Sequence, residues 1–129
     1  MCYKKFAETK TFVQAEGKCN DEGGHLARIS TAAENELVGN IGGSGQFWIG
    51  LWSGKENKCT ANKNSYVWTD GTPNTGFNKW RAGQPDCFGG PTLGEGTIFN
   101  YQGRNLWDDM RISSAKPFVC GMLEEELGK

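Results

Sequence analysis

The chain has 129 residues, 36% hydrophobic and 22% charged, which is enough for one compact domain and too little for two. Its 14 basic and 15 acidic residues give a net charge of -1, so we expect neither nucleic acid nor an anionic membrane as a partner. No apolar stretch approaches the roughly 18 residues of a membrane span, and no apolar leader opens the sequence, so a soluble chain in a mature or recombinant form is expected.

Five cysteines and a single histidine narrow the chemistry further. The cysteines stand at positions 2, 19, 59, 87 and 120 with no Cys-x-x-Cys pair, so a zinc site is not expected. Cysteines spaced this widely favour disulfides and therefore a secreted protein, and the odd number leaves one thiol without an internal partner. His25 is expected to be a partly exposed structural residue and not a catalytic one.

A first helix is predicted soon after the start of the chain. Thr11 is a suitable N-cap, and the helix should reach about Asn20. Phe12, Ala15 and Cys19 recur on one face at helical spacing. That face is therefore expected in the core, with Cys19 pointing into it.

A second helix is predicted from Thr31. Thr31 and Glu34 have the spacing of a capping box. Ala33, Leu37 and Ile41 recur at helical spacing and predict the buried side of this helix. A glycine-rich stretch then ends it.

The remaining regular segments are short and rich in aromatic or β-branched residues, which is typical of strands. They are expected at 46–52, 65–69, 97–101, 104–110 and 117–122. Two helices followed by strands of an antiparallel sheet describe an α+β domain over residues 1–122. An acidic, solvated tail follows at 123–129.

A long segment without periodicity, residues 70–96, separates the predicted strands. It holds seven glycines and three of the four prolines. A loop of this length in a small domain is either functional or disordered. Because it includes Phe77, Trp80 and Phe88, we favour an ordered functional loop that packs in part against the core.

Carboxylates and one amide cluster in and after this loop. They are Gln84, Asp86, Glu95, Asp108 and Asp109. An all-oxygen set of this kind suits Ca²⁺, although scattered carboxylates are more often ordinary solvated surface. No contiguous 12-residue loop is present that would supply the ligands of an EF-hand.

The order of motifs along the whole chain resembles the C-type lectin-like domain. The matching segments are Cys2-Tyr3, Lys10-Thr11-Phe12, Gly24-His25-Leu26-Ala27-Arg28-Ile29, Trp48-Ile49-Gly50-Leu51, Trp68-Thr69-Asp70-Gly71, Gly83-Gln84-Pro85-Asp86, Trp107-Asp108-Asp109 and Pro117-Phe118-Val119-Cys120. In this context the Gln-Pro-Asp motif is similar to that of the galactose-type members.

The resemblance implies one Ca²⁺ held by Gln84, Asp86, Glu95, Asp108 and Asp109, with a cis peptide bond before Pro85. Two sugar hydroxyls complete the coordination shell. Gln84 can donate a hydrogen bond whereas Asp86 can only accept one, so the two sides of the site differ. The mannose-type sites of the family reverse this order, so the resemblance implies that Gln-Pro-Asp favours the 3- and 4-hydroxyls of galactose or N-acetylgalactosamine. Phe88 falls where galactose-type members carry an aromatic ring over the sugar, and its alternative role is a buried loop anchor. A second calcium near Asp86 and Glu95 is left open.

Two departures from the family pattern are also present. Asp108 stands where the family usually has Asn, and a carboxylate cannot donate to a sugar hydroxyl. The resemblance implies the outer disulfide Cys19–Cys120, but the positions of the inner one hold Thr97 and Ile112. Cys59 and Cys87 are then the natural replacement pair, which leaves Cys2 for an intermolecular disulfide and a homodimer.

Two other classes of function compete with a calcium-dependent lectin. A lectin-like domain can bind a protein, or an ice or mineral surface, without using sugar. Glu95 and Asp109 could also be paired as the acid and base of a glycosidase. Calcium ligation would keep both carboxylates ionised and leave no protonated acid, so we do not expect an enzyme.

Overall fold

The computed structural model describes residues 1–53, 66–74, 76–85, 94–100 and 105–122. The elements in chain order are β1 (Cys2–Lys10), α1 (Phe12–Asp21), β2 (His25–Leu26), α2 (Ala32–Gly42), β3 (Phe47–Trp52), β4 (Val67–Trp68), β5 (Glu95–Phe99), β6 (Trp107–Arg111) and β7 (Lys116–Met122). This is the α+β arrangement predicted. The predicted tail, 123–129, lies outside the described residues.

The strands form one sheet in the order β1-β7-β3-β5-β6, with β2 beside β7 and β4 beside β3. Most pairs are antiparallel, but β3 and β7 run parallel at Trp48 and Phe118. The sheet is therefore mixed, and its one parallel pair among the described strands was not part of the prediction of an antiparallel sheet. These two strands are far apart in sequence and are not joined by a hairpin, so no tight turn forces them into opposite directions.

β1 was not predicted. Its sequence, Cys2–Lys10, is mostly polar and exposed, because it lies at the edge of the sheet and covers only part of β7. Cys2 pairs with Met122 and is half-buried. Among the described residues, Cys2 is the one free cysteine.

α1 begins and packs as predicted. The hydroxyl of Thr11 accepts from the backbone N–H of Gln14, and the Gln14 side chain accepts from the backbone N–H of Thr11. Phe12, Ala15 and Cys19 are buried. Cys19 forms a disulfide with Cys120 on β7, 101 residues away in sequence, which confirms that pairing. The predicted partner pair, Cys59 and Cys87, lies outside the described residues.

α2 begins where predicted but presents a different face to the core. The Thr31 hydroxyl accepts from the backbone N–H of Glu34. The Glu34 carboxylate, however, accepts from the N–H of Ser30 and not from that of Thr31. The predicted apolar side is wrong: Leu37 is 46% exposed. Ala33 is exposed and Ile41 half-buried.

The buried face of α2 is formed instead by Asn35, Val38, Gly39 and Gly42. The two glycines explain this choice, because they let the helix lie unusually close to its neighbours. A Cβ atom at Gly42 would overlap the ring of Phe47 on β3, and one at Gly39 would overlap the side chain of Asn105. Close approach of the backbone therefore outweighs the apolar stripe at 33, 37 and 41.

Two groups of buried side chains make up the core. One contains Ala27, Ile29, Val38, Phe47, Ile49, Leu51, Tyr66, Trp68, Phe99, Trp107 and Val119. The other contains Phe12, Ala15, Cys19, Leu26, Trp48, Ile98, Phe118 and Cys120. Alternate residues of β3 enter the two groups, so the sheet is covered on both faces, which accounts for the continuous apolar run of this strand.

In the ranges that the structure describes, no helix is long and apolar enough to cross a membrane.

Candidate functional site

Trp107, the first residue of β6, anchors the loop that carries the Gln-Pro-Asp motif. Its backbone N–H donates to the carbonyl of Lys79 (2.8 Å), and its carbonyl accepts from the N–H of Arg81 (2.8 Å). The carbonyl of Arg81 in turn accepts from the N–H of Gln84 (2.9 Å). The peptide bond between Gln84 and Pro85 is cis, as the resemblance implied. A short chain of backbone hydrogen bonds therefore joins the motif to the strand of the predicted aspartates.

Aromatic rings pack against the same segment. The Trp107 indole contacts the rings of Trp68, Phe77 and Trp80 edge to face, with centroids 5.9 to 6.1 Å apart. The ring of Trp80 also contacts Tyr66. Phe77 and Trp80 are partly buried against the core, so this part of the long loop packs as we expected. Phe88 lies outside the described residues.

Glu95 is the first residue of β5 and is 1% exposed. Ser53, which follows β3, holds the backbone of Glu95 through two hydrogen bonds. The Ser53 hydroxyl accepts from the Glu95 N–H (2.9 Å), and the Glu95 carbonyl accepts from the Ser53 N–H (2.9 Å). Sequence reasoning missed Ser53, and its only local signal is a serine directly after an apolar strand.

Asp108 and Asp109 follow Trp107 on β6. Asp109 is 6% exposed and lies opposite Thr97 on β5. Glu95 is two residues from Thr97 and so is expected on the same face of β5, as a diagonal neighbour of Asp109 at roughly 7 Å. The sheet register therefore brings two of the predicted carboxylates, Glu95 on β5 and Asp109 on β6, to neighbouring positions.

The electrostatics of the aspartate pair are unfavourable in the absence of a cation. Burial, first, and then the hydrogen bond and charge of Asp109 raise the pKa of Asp108 from 3.8 to about 7. The backbone N–H of Asp109, which donates to Asp108 Oδ1 at 2.8 Å, and the charge of Arg81 oppose this shift without cancelling it. A cation at this position would relieve the repulsion and displace the proton.

The donor chemistry fits Ca²⁺, since carboxylate and amide oxygens are its usual protein ligands. Over the described ranges, however, no three His, Cys, Asp or Glu side chains lie close enough together to hold a metal ion. Like-charged carboxylates repel one another when no ion lies between them, which is the physical reason to expect an open arrangement. Asp86 lies outside the described residues.

His25 lies at the junction of α1 and β2, away from the predicted site. His25 Nδ1 lies 2.6 Å from Glu16 Oε2, and the other oxygen of Glu16 accepts from the N–H of Leu26. His25 therefore joins α1 to β2, in the structural role predicted. A cavity of about 230 Å³ is lined in part by His25 and by the Arg28–Asp70 ion pair (2.8 Å), and includes none of the predicted site residues.

Comparison with known proteins establishes the family. The model of the family described as "Lectin C-type domain" matches residues 8–122, nearly the whole chain. The chain belongs to the C-type lectin domain family. This C-type lectin domain is 32% identical to an alpha-N-acetylgalactosamine-specific lectin of Patiria pectinifera over 131 residues, covering 94% of this chain and 73% of that protein.

Solved structures agree. The carbohydrate-recognition domain of mouse scavenger receptor C-type lectin matches with a TM-score of 0.75 and 28% identity, covering 92% of this chain and 87% of that one. A calcium-independent type II antifreeze protein matches with a TM-score of 0.74 and 25% identity, covering 92% and 83%. The fold is thus confirmed, and kinship with lectins indicates a non-enzymatic carbohydrate-binding protein, as expected.

Proposed function

We propose that this C-type lectin domain binds terminal galactose or N-acetylgalactosamine through one Ca²⁺. The observation that carries the proposal is the arrangement around Trp107. Its backbone holds the turn that leads to Gln84, while Asp108 and Asp109 directly follow it on β6. The specificity of the Patiria pectinifera lectin for alpha-N-acetylgalactosamine supports the choice of sugar.

The ion would be held by five side chains, Gln84, Asp86, Glu95, Asp108 and Asp109. When bound, Ca²⁺ supplies positive charge and coordination positions for the 3- and 4-hydroxyls of the sugar. The burial of Glu95 and Asp109 and the raised pKa of Asp108 support this assignment, because buried carboxylates are stabilised by a nearby cation.

The protein's own side chains would orient the sugar. The amide of Gln84 can donate to one hydroxyl, whereas Asp86 can only accept from its neighbour, so the two sides of the site differ. Asp108, in place of the family's usual Asn, offers another acceptor and no donor. Phe88 would cover the apolar face of galactose.

Calcium dependence can be tested by thermal melting and glycan binding, each with Ca²⁺ and with a chelator. Ca²⁺ at about 100 times its dissociation constant should add about 2.7 kcal/mol to the free energy of unfolding, or about 10 °C for 129 residues. Binding to immobilised galactose should be lost with the chelator. Equal melting temperatures in both conditions would contradict the calcium site.

Sugar preference can be tested by exchanging Gln84→Glu together with Asp86→Asn. This exchange reverses the donor and acceptor sides, so preference should move from galactose toward mannose while calcium binding is kept. The control makes the same chemical exchange away from the site, Gln46→Glu with Asp21→Asn, and should leave preference unchanged. If the first variant binds calcium and still prefers galactose, specificity does not come from residues 84 and 86.

The second candidate function is binding of a protein or an ice surface without sugar. It is favoured by the likeness to the calcium-independent antifreeze protein. Intact oxygen ligands at the predicted calcium positions count against it, since such a role does not require them. Thermal hysteresis that persists with a chelator, in a protein that binds no glycan, would support this alternative.

The Cys19–Cys120 disulfide supports a secreted protein, because such bonds persist in oxidising compartments. A homodimer linked through Cys2 stays a prediction. The half-buried position of Cys2 within β1 limits access to its thiol.

A further inference from the structure

Asn35 is a buried amide on the face of α2 that packs against the sheet. It is 4% exposed. Its Oδ1 accepts from Trp107 Nε1 at 2.9 Å, and its Nδ2 donates to the carbonyl of Asn105 at 3.1 Å. Both polar atoms of the side-chain amide are therefore hydrogen-bonded to the short segment 105–107, seventy or more residues away in sequence.

The chemistry of the partners fixes the orientation of this amide. An indole N–H can only donate and a carbonyl oxygen can only accept, so Oδ1 must face Trp107 and Nδ2 must face Asn105. An aspartate at position 35 would keep the acceptor, lose the donor and bury a negative charge. A serine would be too short to reach both partners.

Further amides support the segment from the other side. Asn105 has a left-handed backbone (φ 56°), and its N–H donates to Oδ1 of Asn100 at 3.2 Å. Asn100 Nδ2 donates to the carbonyl of Gly43, directly after α2, at 2.7 Å. The close approach at Gly39 brings α2 against Asn105. α2 thus holds the start of β6 at two points along its length.

Trp107 connects this support to the candidate site. Its indole N–H donates to Asn35 Oδ1, while its backbone forms hydrogen bonds with Lys79 and Arg81 of the loop. Asp108 and Asp109 are the next residues on the same strand. A rotation of Trp107 would therefore displace the aspartate pair and the anchor of the Gln84 turn together.

We propose that Asn35 is a positioning residue for the candidate calcium and sugar site and acts through Trp107. This inference rests on the proposed function. Asn35 itself touches neither ion nor sugar. It keeps the start of β6 in the geometry that binds the ion, and this role accounts for a polar residue on the buried face of α2.

Two variants test the proposal, Asn35→Asp and Asn35→Ser, with Val38→Ala as the matched control. Val38 is fully buried on the same face of α2, so its truncation destabilises the fold without removing either hydrogen bond. Titration with Ca²⁺ alone, by calorimetry at a temperature where each variant is folded, gives the affinity. Loss of a residue that orients a metal site from outside the ligand set weakens metal binding about 10- to 100-fold. We therefore expect at least a 10-fold loss for Asn35→Ser, which loses the acceptor for Trp107, and a smaller loss for Asn35→Asp, which keeps it. Val38→Ala should stay within about twofold of the wild type, since it leaves the site contacts in place.

A second measurement does not depend on calcium. In wild-type protein kept calcium-free with a chelator, the Trp107 indole proton should exchange slowly with solvent, because it is hydrogen-bonded and buried. NMR measures this exchange rate. Asn35→Asp keeps the acceptor and should retain protection at Trp107, whereas Asn35→Ser should lose it. If neither variant folds, fast exchange at Trp107 in the wild type overturns the proposal and slow exchange supports it.

The outcomes separate this inference from the proposed function. If the wild type binds no Ca²⁺, the proposed function fails. If the wild type binds Ca²⁺ and the Asn35 variants bind it equally well, only the positioning role fails. Equal losses for the Asn35 variants and Val38→Ala would likewise overturn it, since general destabilisation would then explain both.

Discussion

Removing the disulfide with Cys19→Ala and Cys120→Ala should lower stability strongly. The bond closes a loop of 101 residues between α1 and β7, and both cysteines are fully buried. On the chain-entropy model, a cross-link of this span stabilises the folded state by about 4.7 kcal/mol, because it restricts the unfolded chain. Small domains have only about 5 to 15 kcal/mol in all, so a third or more of the stability would be lost.

The expected change in melting temperature follows from chain length. At about 2.1 cal/mol/K per residue, 129 residues unfold with an entropy of about 270 cal/mol/K, so 4.7 kcal/mol corresponds to about 17 °C. Calorimetric melting with calcium held constant measures the shift. Cys2→Ala is the control, since Cys2 is half-buried and free, and should move the midpoint by little. A decrease below about 5 °C for the double variant would refute the chain-entropy reasoning.

Two further predictions concern the aspartate pair and α2. Because the pKa of Asp108 is raised to about 7, the folded calcium-free protein binds a proton more tightly than the unfolded chain, so its stability should fall as pH rises from about 4 to about 7. Asp108→Asn should flatten this decline in melts made with a chelator; an unchanged slope would place its origin elsewhere. Gly42→Ala should destabilise by about 1 to 3 kcal/mol in urea titrations, because the new Cβ overlaps the Phe47 ring. Gly45→Ala, with open space around its new Cβ, should change stability by less than about 1 kcal/mol, and equal effects of the two would contradict the close-packing explanation.

Much of the α+β fold could be predicted because the relevant signals are local. The cap at Thr11 and the face of Phe12, Ala15 and Cys19 depend only on helical spacing, and α1 has both. β3 was recognisable as an apolar run because both of its faces are covered. The cis bond before Pro85 followed from the resemblance, whereas the ligand roles of Gln84 and its partners remain predictions.

Other features depended on which surfaces meet. The buried side of α2 follows from the glycines that allow close approach, so an apolar stripe at the correct spacing pointed to the wrong face. The parallel pairing of β3 with β7 has no local signal, since no short turn joins the two strands.

The positions of the helices and of most strands, and the residue types near the long loop, follow from local patterns in the sequence. How that loop is supported depends on contacts between distant segments. Ser53 clamps the backbone of Glu95, and Asn35 holds Trp107. Each contact joins residues more than forty positions apart, and a buried polar group takes its partner from whichever segment packs against it. Spacing along the chain carries no record of that choice.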